Sequence, residues 1–200
     1  MKFAIIDYGA SNMFSLIAAL KRIDINTDII TREQDLDEYS AIILPGVGNF
    51  SAASNIILKF RNNIMKSIMN GTPLLGICLG LQLFFETSEE GEGKGLSLFK
   101  GKVIKFPSNV KIPHMGWNLV IPQNKSELLS NIDGKIWAYF AHSYFPQPKD
   151  ESIIKGVTIY GVKFSSVIES NNVLGTQFHP EKSGNTGQEI LKNFVKIVKR

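Results

Sequence analysis

Two hundred residues with 44% hydrophobic and 20% charged side chains match ordinary globular usage, which excludes disordered, collagen-like and coiled-coil chains and predicts a single domain spanning 1–200. A formal net charge of +4 from 22 basic and 18 acidic residues, with no run of about five or six basic side chains, argues against a nucleic-acid partner. No stretch of about 18 uninterrupted apolar residues occurs, and the N-terminal segment meets Asp7 before a signal-peptide core can form, so no membrane partner and a cytoplasmic location are expected.

The first 80 residues alternate apolar runs with helical segments, the pattern of an α/β chain with a parallel sheet flanked by helices. Lys2 to Asp7 reads as a buried strand, and Ser11 as the cap of a helix whose apolar stripe is Phe14, Leu16, Ile17, Leu20 and Ile23. Thr27 to Ile30 and Ala41 to Leu44 read as strands, the second ending at Pro45-Gly46-Val47-Gly48. A helix is predicted over Asn55 to Asn70, then a central strand over Leu74 to Ile77, and a helical segment over Leu81 to Phe85. Beyond a loop marked by Gly91, Gly93 and Gly95, strands are predicted at Val103 to Phe106, Trp137 to Ala141, Ile153 to Tyr160, Val162 to Phe164 and Val173 to Gln177. They read as a mixed or antiparallel extension of the first sheet. A last amphipathic helix runs over roughly Gly187 to Val198.

The chain has one cysteine, Cys78, so an intrachain disulfide and a Cys-rich metal site are both excluded. His114, His142 and His179 are too far apart in sequence for a local ligand motif, though folding could still bring them together, and no metal or other cofactor is expected. A lone thiol is either buried filling or a nucleophile. Gly76-Ile77-Cys78-Leu79-Gly80 joins a strand to a helix with almost no loop, much as a hydrolase nucleophile elbow does. A helix N-terminus there would favour the thiolate, and the Leu79 amide would face an oxyanion.

A nucleophilic thiol needs a base and the base an orienting partner. His179-Pro180-Glu181 offers both, unless it is merely a polar surface turn. Pro45 to Gly48 ends a neighbouring strand and can supply a second oxyanion donor. A phosphate-loop reading fails, because no Gly-Lys-Ser/Thr follows and Asp7 to Asn12 is not a dinucleotide fingerprint.

Six words together carry a resemblance. They are Ile5-Ile6-Asp7-Tyr8-Gly9 with Asn12, Pro45-Gly46-Val47-Gly48 with Phe50, Gly76 to Gln82, Pro113-His114-Met115-Gly116-Trp117-Asn118, His142-Ser143-Tyr144, and Gln177 to Ser183. Over essentially its whole length the chain resembles the class I (triad) glutamine amidotransferases, and among them the HisH family of glutaminase subunits of imidazole glycerol phosphate synthase. The resemblance implies a flavodoxin-like fold with a central, mostly parallel mixed sheet and an antiparallel extension.

It further implies Cys78 as nucleophile, His179 as general base and acid, and Glu181 as orienting carboxylate. Val47, Gly48 and Leu79 would form the oxyanion hole, and Gly46, Gln82, Glu90, Ser143 and Tyr144 would bind L-glutamine. A HisF-type (β/α)8 cyclase subunit would receive the ammonia in a heterodimer, with Trp117, Asn118, Tyr139 and Lys182 toward that interface. Trp117 as ordinary core and Lys182 as a solvated surface lysine stay open as alternatives. So do a paralogue that serves amidation of a surface sugar, a non-catalytic binding protein, and a cysteine peptidase on the same fold.

Overall fold

The computed structural model describes residues 1–9 and 13–200. The chain runs β1 (Lys2–Ile6), α1 (Met13–Lys21), β2 (Asn26–Ile30), β3 (Ala41–Leu44), α2 (Phe50–Ile57), α3 (Arg61–Met69), β4 (Leu74–Ile77) and α4 (Leu79–Gln82). Then come β5 (Thr87–Ser88), β6 (Gly101–Lys105), β7 (His114–Pro122), β8 (Ile136–His142), β9 (Tyr144–Pro148), β10 (Ile154–Tyr160), β11 (Val162–Ser170), β12 (Val173–Thr176) and α5 (Gly184–Val198).

A nine-stranded sheet has the order β2-β1-β3-β4-β12-β11-β10-β7-β8. Strands β2, β1, β3, β4 and β12 pair in parallel, and the pairings from β12 through β8 are antiparallel. β5, β6 and β9 form a separate three-stranded sheet. The expected mixed sheet with an antiparallel extension is therefore present. Alternating side chains of the buried strands feed two cores. Phe3 and Ile5 of β1 face α1 and α5, in a core holding Leu16, Leu20, Ile190 and Phe194. Ala4 and Ile6 face α2 and α3, with Phe50, Ile57, Phe60 and Ile64. Among the described residues no helix is long and apolar enough to cross a membrane.

Several expected elements shift. The helix predicted over 55–70 begins at Phe50, because Asn49 Oδ1 accepts from the Ala52 N–H and Glu90 Oε2 accepts from the Phe50 N–H. A 3-10 turn over Leu58–Phe60 then separates α2 from α3. Phe14 is 82% exposed and so lies off the core stripe of α1. The cap expected at Ser11, and Asn12, lie outside the described residues. α5 begins at Gly184 rather than Gly187. The segment expected to be helical over 81–85 is instead the single turn α4, four residues long. β5, β7 and β9 correspond to no expected strand.

Candidate active site

Three adjacent parallel strands, β3, β4 and β12, end at one edge of the sheet, with Leu44 opposite Gly76 and Thr176 opposite Ile77. The residue after β4 is Cys78, whose φ of 50° and ψ of −104° turn the chain sharply into α4. Such a conformation is costly for a residue with a side chain and persists only where its surroundings enforce it. Two glycines supply the enforcement. A Cβ on Gly46 would stand 1.8 Å from the Ile77 carbonyl oxygen, and one on Gly80 would stand 2.0 Å from that of Leu44. The loop after β3 and the turn after β4 thus interlock backbone to backbone. Because α4 is one turn long, its dipole is small, and the helix terminus expected to favour a thiolate contributes little.

After β12, Gln177 and Phe178 are fully buried and His179 is 1% exposed. The His179 N–H donates to the Tyr139 carbonyl at 2.9 Å. Ser183 Oγ donates to the His179 carbonyl at 2.6 Å and accepts from the Tyr139 N–H at 2.9 Å. The backbone of His179 is therefore clamped to β8. Its Nδ1 lies 2.8 Å from Glu181 Oε1. Burial alone lowers the imidazole pKa, but the charge of the nearby Cys78 sulfur and the hydrogen-bonded Glu181 carboxylate overcome that effect, raising it to about 10. Among the described residues Nε2 has no hydrogen bond of ordinary geometry, so the attraction between ring and sulfur is chiefly one of charge. A thiol beside an imidazole held by a carboxylate is the arrangement that nucleophilic acyl chemistry requires.

Cys78 opens into a cavity of about 200 Å3 that is also lined by Gly46, Val47, Gly48, Leu79, Gln82, Glu90, Ser143 and Tyr144. Every residue expected in the oxyanion hole or around the substrate thus borders one space, and its volume falls below the roughly 300–1,000 Å3 of drug-sized pockets. His179 and Glu181 border the other side of Gly46 and Val47. The Leu79 N–H, first in a helix, has no intrahelical acceptor. Gln82 Nε2 donates to the Tyr144 carbonyl at 2.9 Å and to Gln177 Oε1 at 3.2 Å, which turns the Gln82 carbonyl oxygen away from both partners. A larger groove of about 650 Å3, at the opposite end of β4 and β12, holds Lys125, Lys155, Glu169 and Arg200. Its buried Glu169 accepts from the Ser126 hydroxyl and the N–H groups of Glu127 and Leu128, which ties that carboxylate to the turn around it.

Behind the cavity wall, His142 Nδ1 meets the Tyr144 carbonyl at 2.8 Å, its Nε2 meets His114 Nδ1 at 3.1 Å, and His114 Nε2 meets Asn118 Nδ2 at 3.2 Å. The carbonyl only accepts, so His142 Nδ1 carries a proton and its Nε2 accepts. His114 Nδ1 then donates and its Nε2 accepts from Asn118. Both rings are satisfied as neutral imidazoles, and burial lowers their pKa values to about 4 for His114 and about 3 for His142. Among the described residues no group of three or more His, Cys, Asp or Glu side chains forms that could hold a metal ion.

On the outer face of the β7–β8 pair, Trp117 lies opposite Tyr139 with ring centroids 6.3 Å apart, and Lys182 Nζ stands 6.0 Å from the Tyr139 ring. Trp117 is 54% exposed, so the reading of it as ordinary core is overturned. Met115 and Trp137 are also exposed on this face, and the apolar patch borders the cavity through Met115. Asn118 does not join the cluster. Adjacent residues of a strand point to opposite faces, and its side chain donates to the Ile159 carbonyl as well as to His114. Sequence reasoning also passed over Gln177, Ser183, His114 and His142 as contributors to the site. The signal for Gln177 was a polar residue directly after a wholly buried strand, a position that demands a partner.

Residues 4–198 match the family described as Glutamine amidotransferase class-I. The imidazole glycerol phosphate synthase subunit HisH of Methanocaldococcus jannaschii is 46% identical over 195 residues, covering 97% of this chain and 98% of that one. The subunit of the same name from Methanothermobacter thermautotrophicus is 42% identical over 197 residues, with 98% of each chain covered. In three dimensions the chain is similar to the structure of PurLQS from Thermotoga maritima, with a TM-score of 0.79 at 22% identity, covering 98% of this chain and 97% of that one. A glutamine amidotransferase from Thermotoga maritima gives a TM-score of 0.67 at 16% identity, covering 100% and 84%. An interlocked cysteine turn, a buried histidine–carboxylate pair and near full-length similarity agree: the chain belongs to the class-I glutamine amidotransferase family and, within it, to the HisH subunits.

Proposed function

We propose that the chain is the glutaminase subunit of imidazole glycerol phosphate synthase, releasing ammonia from L-glutamine for a HisF-type (β/α)8 cyclase subunit in cytoplasmic histidine biosynthesis. The observation that carries this reading is the meeting of Cys78 with the His179–Glu181 pair beside a cavity sized for a free amino acid.

The Cys78 thiolate adds to the side-chain carboxamide carbon of glutamine, and the carbonyl oxygen becomes an oxyanion. Backbone N–H groups of Leu79 and of the Val47-Gly48 segment receive it, each worth about 3 kcal/mol in such a site. The C–N bond then breaks, His179 gives its proton to the departing ammonia, and a γ-glutamyl thioester remains. Water, losing a proton to His179, attacks the thioester through a second oxyanion and releases glutamate and the thiolate. Glu181 keeps the ring oriented throughout. The outward Gln82 carbonyl oxygen and the Glu90 carboxylate suit the substrate's α-ammonium group, and the backbone at Ser143-Tyr144 suits its α-carboxylate.

Ammonia in water at neutral pH is mostly ammonium and not nucleophilic, so its delivery requires a partner sealed against the site. The exposed face of Met115, Trp117, Tyr139 and Lys182 has the aromatic and basic composition of a binding hot spot. The names of the relatives support the cyclase as that partner. Co-expression with a HisF-type subunit tests the reading. Glutamate release coupled to imidazole glycerol phosphate formation is expected, and Cys78→Ala should abolish both with glutamine while leaving cyclisation from added ammonium intact. Failure to rescue a histidine auxotroph despite soluble, glutamine-hydrolysing protein would move the chain to the sugar-amidating reading.

A further inference from the structure

We propose that Gln177 is a catalytic residue, its side-chain N–H being the donor that holds the Cys78 sulfur as a thiolate. Gln177 Nε2 lies 3.5 Å from Cys78 Sγ, and Gln177 is fully buried. Strand register puts it there. β12 pairs in parallel with β4 so that Thr176 faces Ile77, and the next residues of both strands, Gln177 and Cys78, leave the sheet side by side. The Cys78 N–H donates to the Thr176 carbonyl at 2.7 Å and the Gln177 N–H to the Ser166 carbonyl at 2.9 Å, which fixes both backbones.

The direction of the amide does not depend on how its oxygen and nitrogen are assigned. The Tyr144 backbone carbonyl can only accept, so the Gln82 group 2.9 Å from it is the NH2. The second hydrogen of that NH2 points to Gln177 at 3.2 Å, which makes the facing Gln177 atom the oxygen. The Gln177 NH2 is then the end left for the sulfur. A thiolate accepts such a hydrogen bond far better than a thiol does, so the donor favours the charged nucleophile. It does so where the one-turn α4 supplies little dipole. Gln82, which borders the substrate cavity, acts on the sulfur only through Gln177 and is a positioning residue in this respect.

The inference rests on the proposed role of Cys78, and the test separates the two. Cys78 is the only cysteine, so its alkylation by iodoacetamide, followed by mass spectrometry across a pH series in the co-expressed complex, reads the reactive sulfur without requiring glutamine. Gln177→Met keeps the shape and removes the donor, and Gln177→Glu replaces the donor by an acceptor. Gln177→Asn keeps a carboxamide but withdraws it from the sulfur. Alkylation at neutral pH should slow by about ten-fold or more in each, the factor expected of one hydrogen bond to a charged group, with the pH profile displaced upward and Gln177→Glu slowest. Folded variants that alkylate at the wild-type rate would overturn the role of Gln177 while leaving that of Cys78 intact. Glutamine hydrolysis surviving in Cys78→Ser would instead remove the nucleophile assignment itself.

Discussion

The Ser183 hydroxyl donates to the carbonyl oxygen of His179 at 2.6 Å, and by also accepting from the Tyr139 N–H it holds the imidazole's backbone against β8. Ser183→Ala removes both bonds and leaves the Tyr139 N–H without its acceptor, while the His179 carbonyl keeps only the Lys182 N–H. Urea titration should show a loss of about 1–3 kcal/mol, and glutamate release in the complex should fall by about 100-fold from misplacement of the ring. Ser183→Thr, which restores the hydroxyl, should recover most of the rate.

Gly80→Ala forces a Cβ to within 2.0 Å of the Leu44 carbonyl oxygen, and Gly46→Ala forces one to within 1.8 Å of the Ile77 carbonyl oxygen. Neither neighbour is a flexible side-chain end, so the turn itself must move. Each variant should lose about 1–3 kcal/mol of stability and at least about 100-fold in glutamine turnover. A Gly80→Ala protein with normal turnover would contradict the interlocked geometry.

Acid should destabilise the protein through His114 and His142. Both are held below the ordinary 6.5, near 4 and 3, so between those values and 6.5 the unfolded chain binds more protons than the folded one. The stability they confer is complete above 6.5 and is lost as pH falls toward 3, at up to about 1.4 kcal/mol per pH unit for each ring. Unfolding midpoints at pH 7, 5 and 4 measure the loss. The C2–H resonances of these two rings should not titrate between pH 5 and 8.

The third histidine behaves oppositely. His179 is raised to about 10, so its contribution is complete below 6.5 and disappears as pH rises through 10. In Cys78→Ala burial persists and Glu181 alone opposes it, and the His179 C2–H resonance should titrate well below 10. An unchanged midpoint would mean that the sulfur does not face the ring.

Trp117→Ala should weaken binding of a HisF-type subunit by about 30-fold or more, the loss typical of a hot-spot aromatic. The half-exposed indole meets Tyr139 only at its edge, so the unfolding midpoint should hardly move. Isothermal titration with the purified partner measures the first effect and a urea melt the second.

The wholly apolar runs of β1, β3 and β4, the Gly-flanked Cys78 turn and the His179-Glu181 word were legible because local constraints dominate there. β7 was not. Its outward residues Met115, Trp117, Leu119 and Ile121 are apolar while its inward residues include His114 and Asn118, which inverts the usual polarity of a half-covered strand. β9 was hidden by Pro146 and Pro148, tolerated because the strand is an edge paired only with β6. Gln177 and Ser183, present in the sequence only as the two ends of one word, carry no legible role for another reason. Their partners, Cys78 and Tyr139, are remote in sequence, and only the register of β12 and the turn after it bring them close.

β12 follows all the other strands in chain order yet occupies the middle of the sheet, between β4 and β11. Every contact that arms the sulfur is consequently long-range, and assembly must close a large loop before thiol and imidazole meet. A molecule folded only through its first half possesses the cysteine and one wall of the cavity but no base. The pairing of thiol and imidazole is completed only when the central gap in the sheet has been filled.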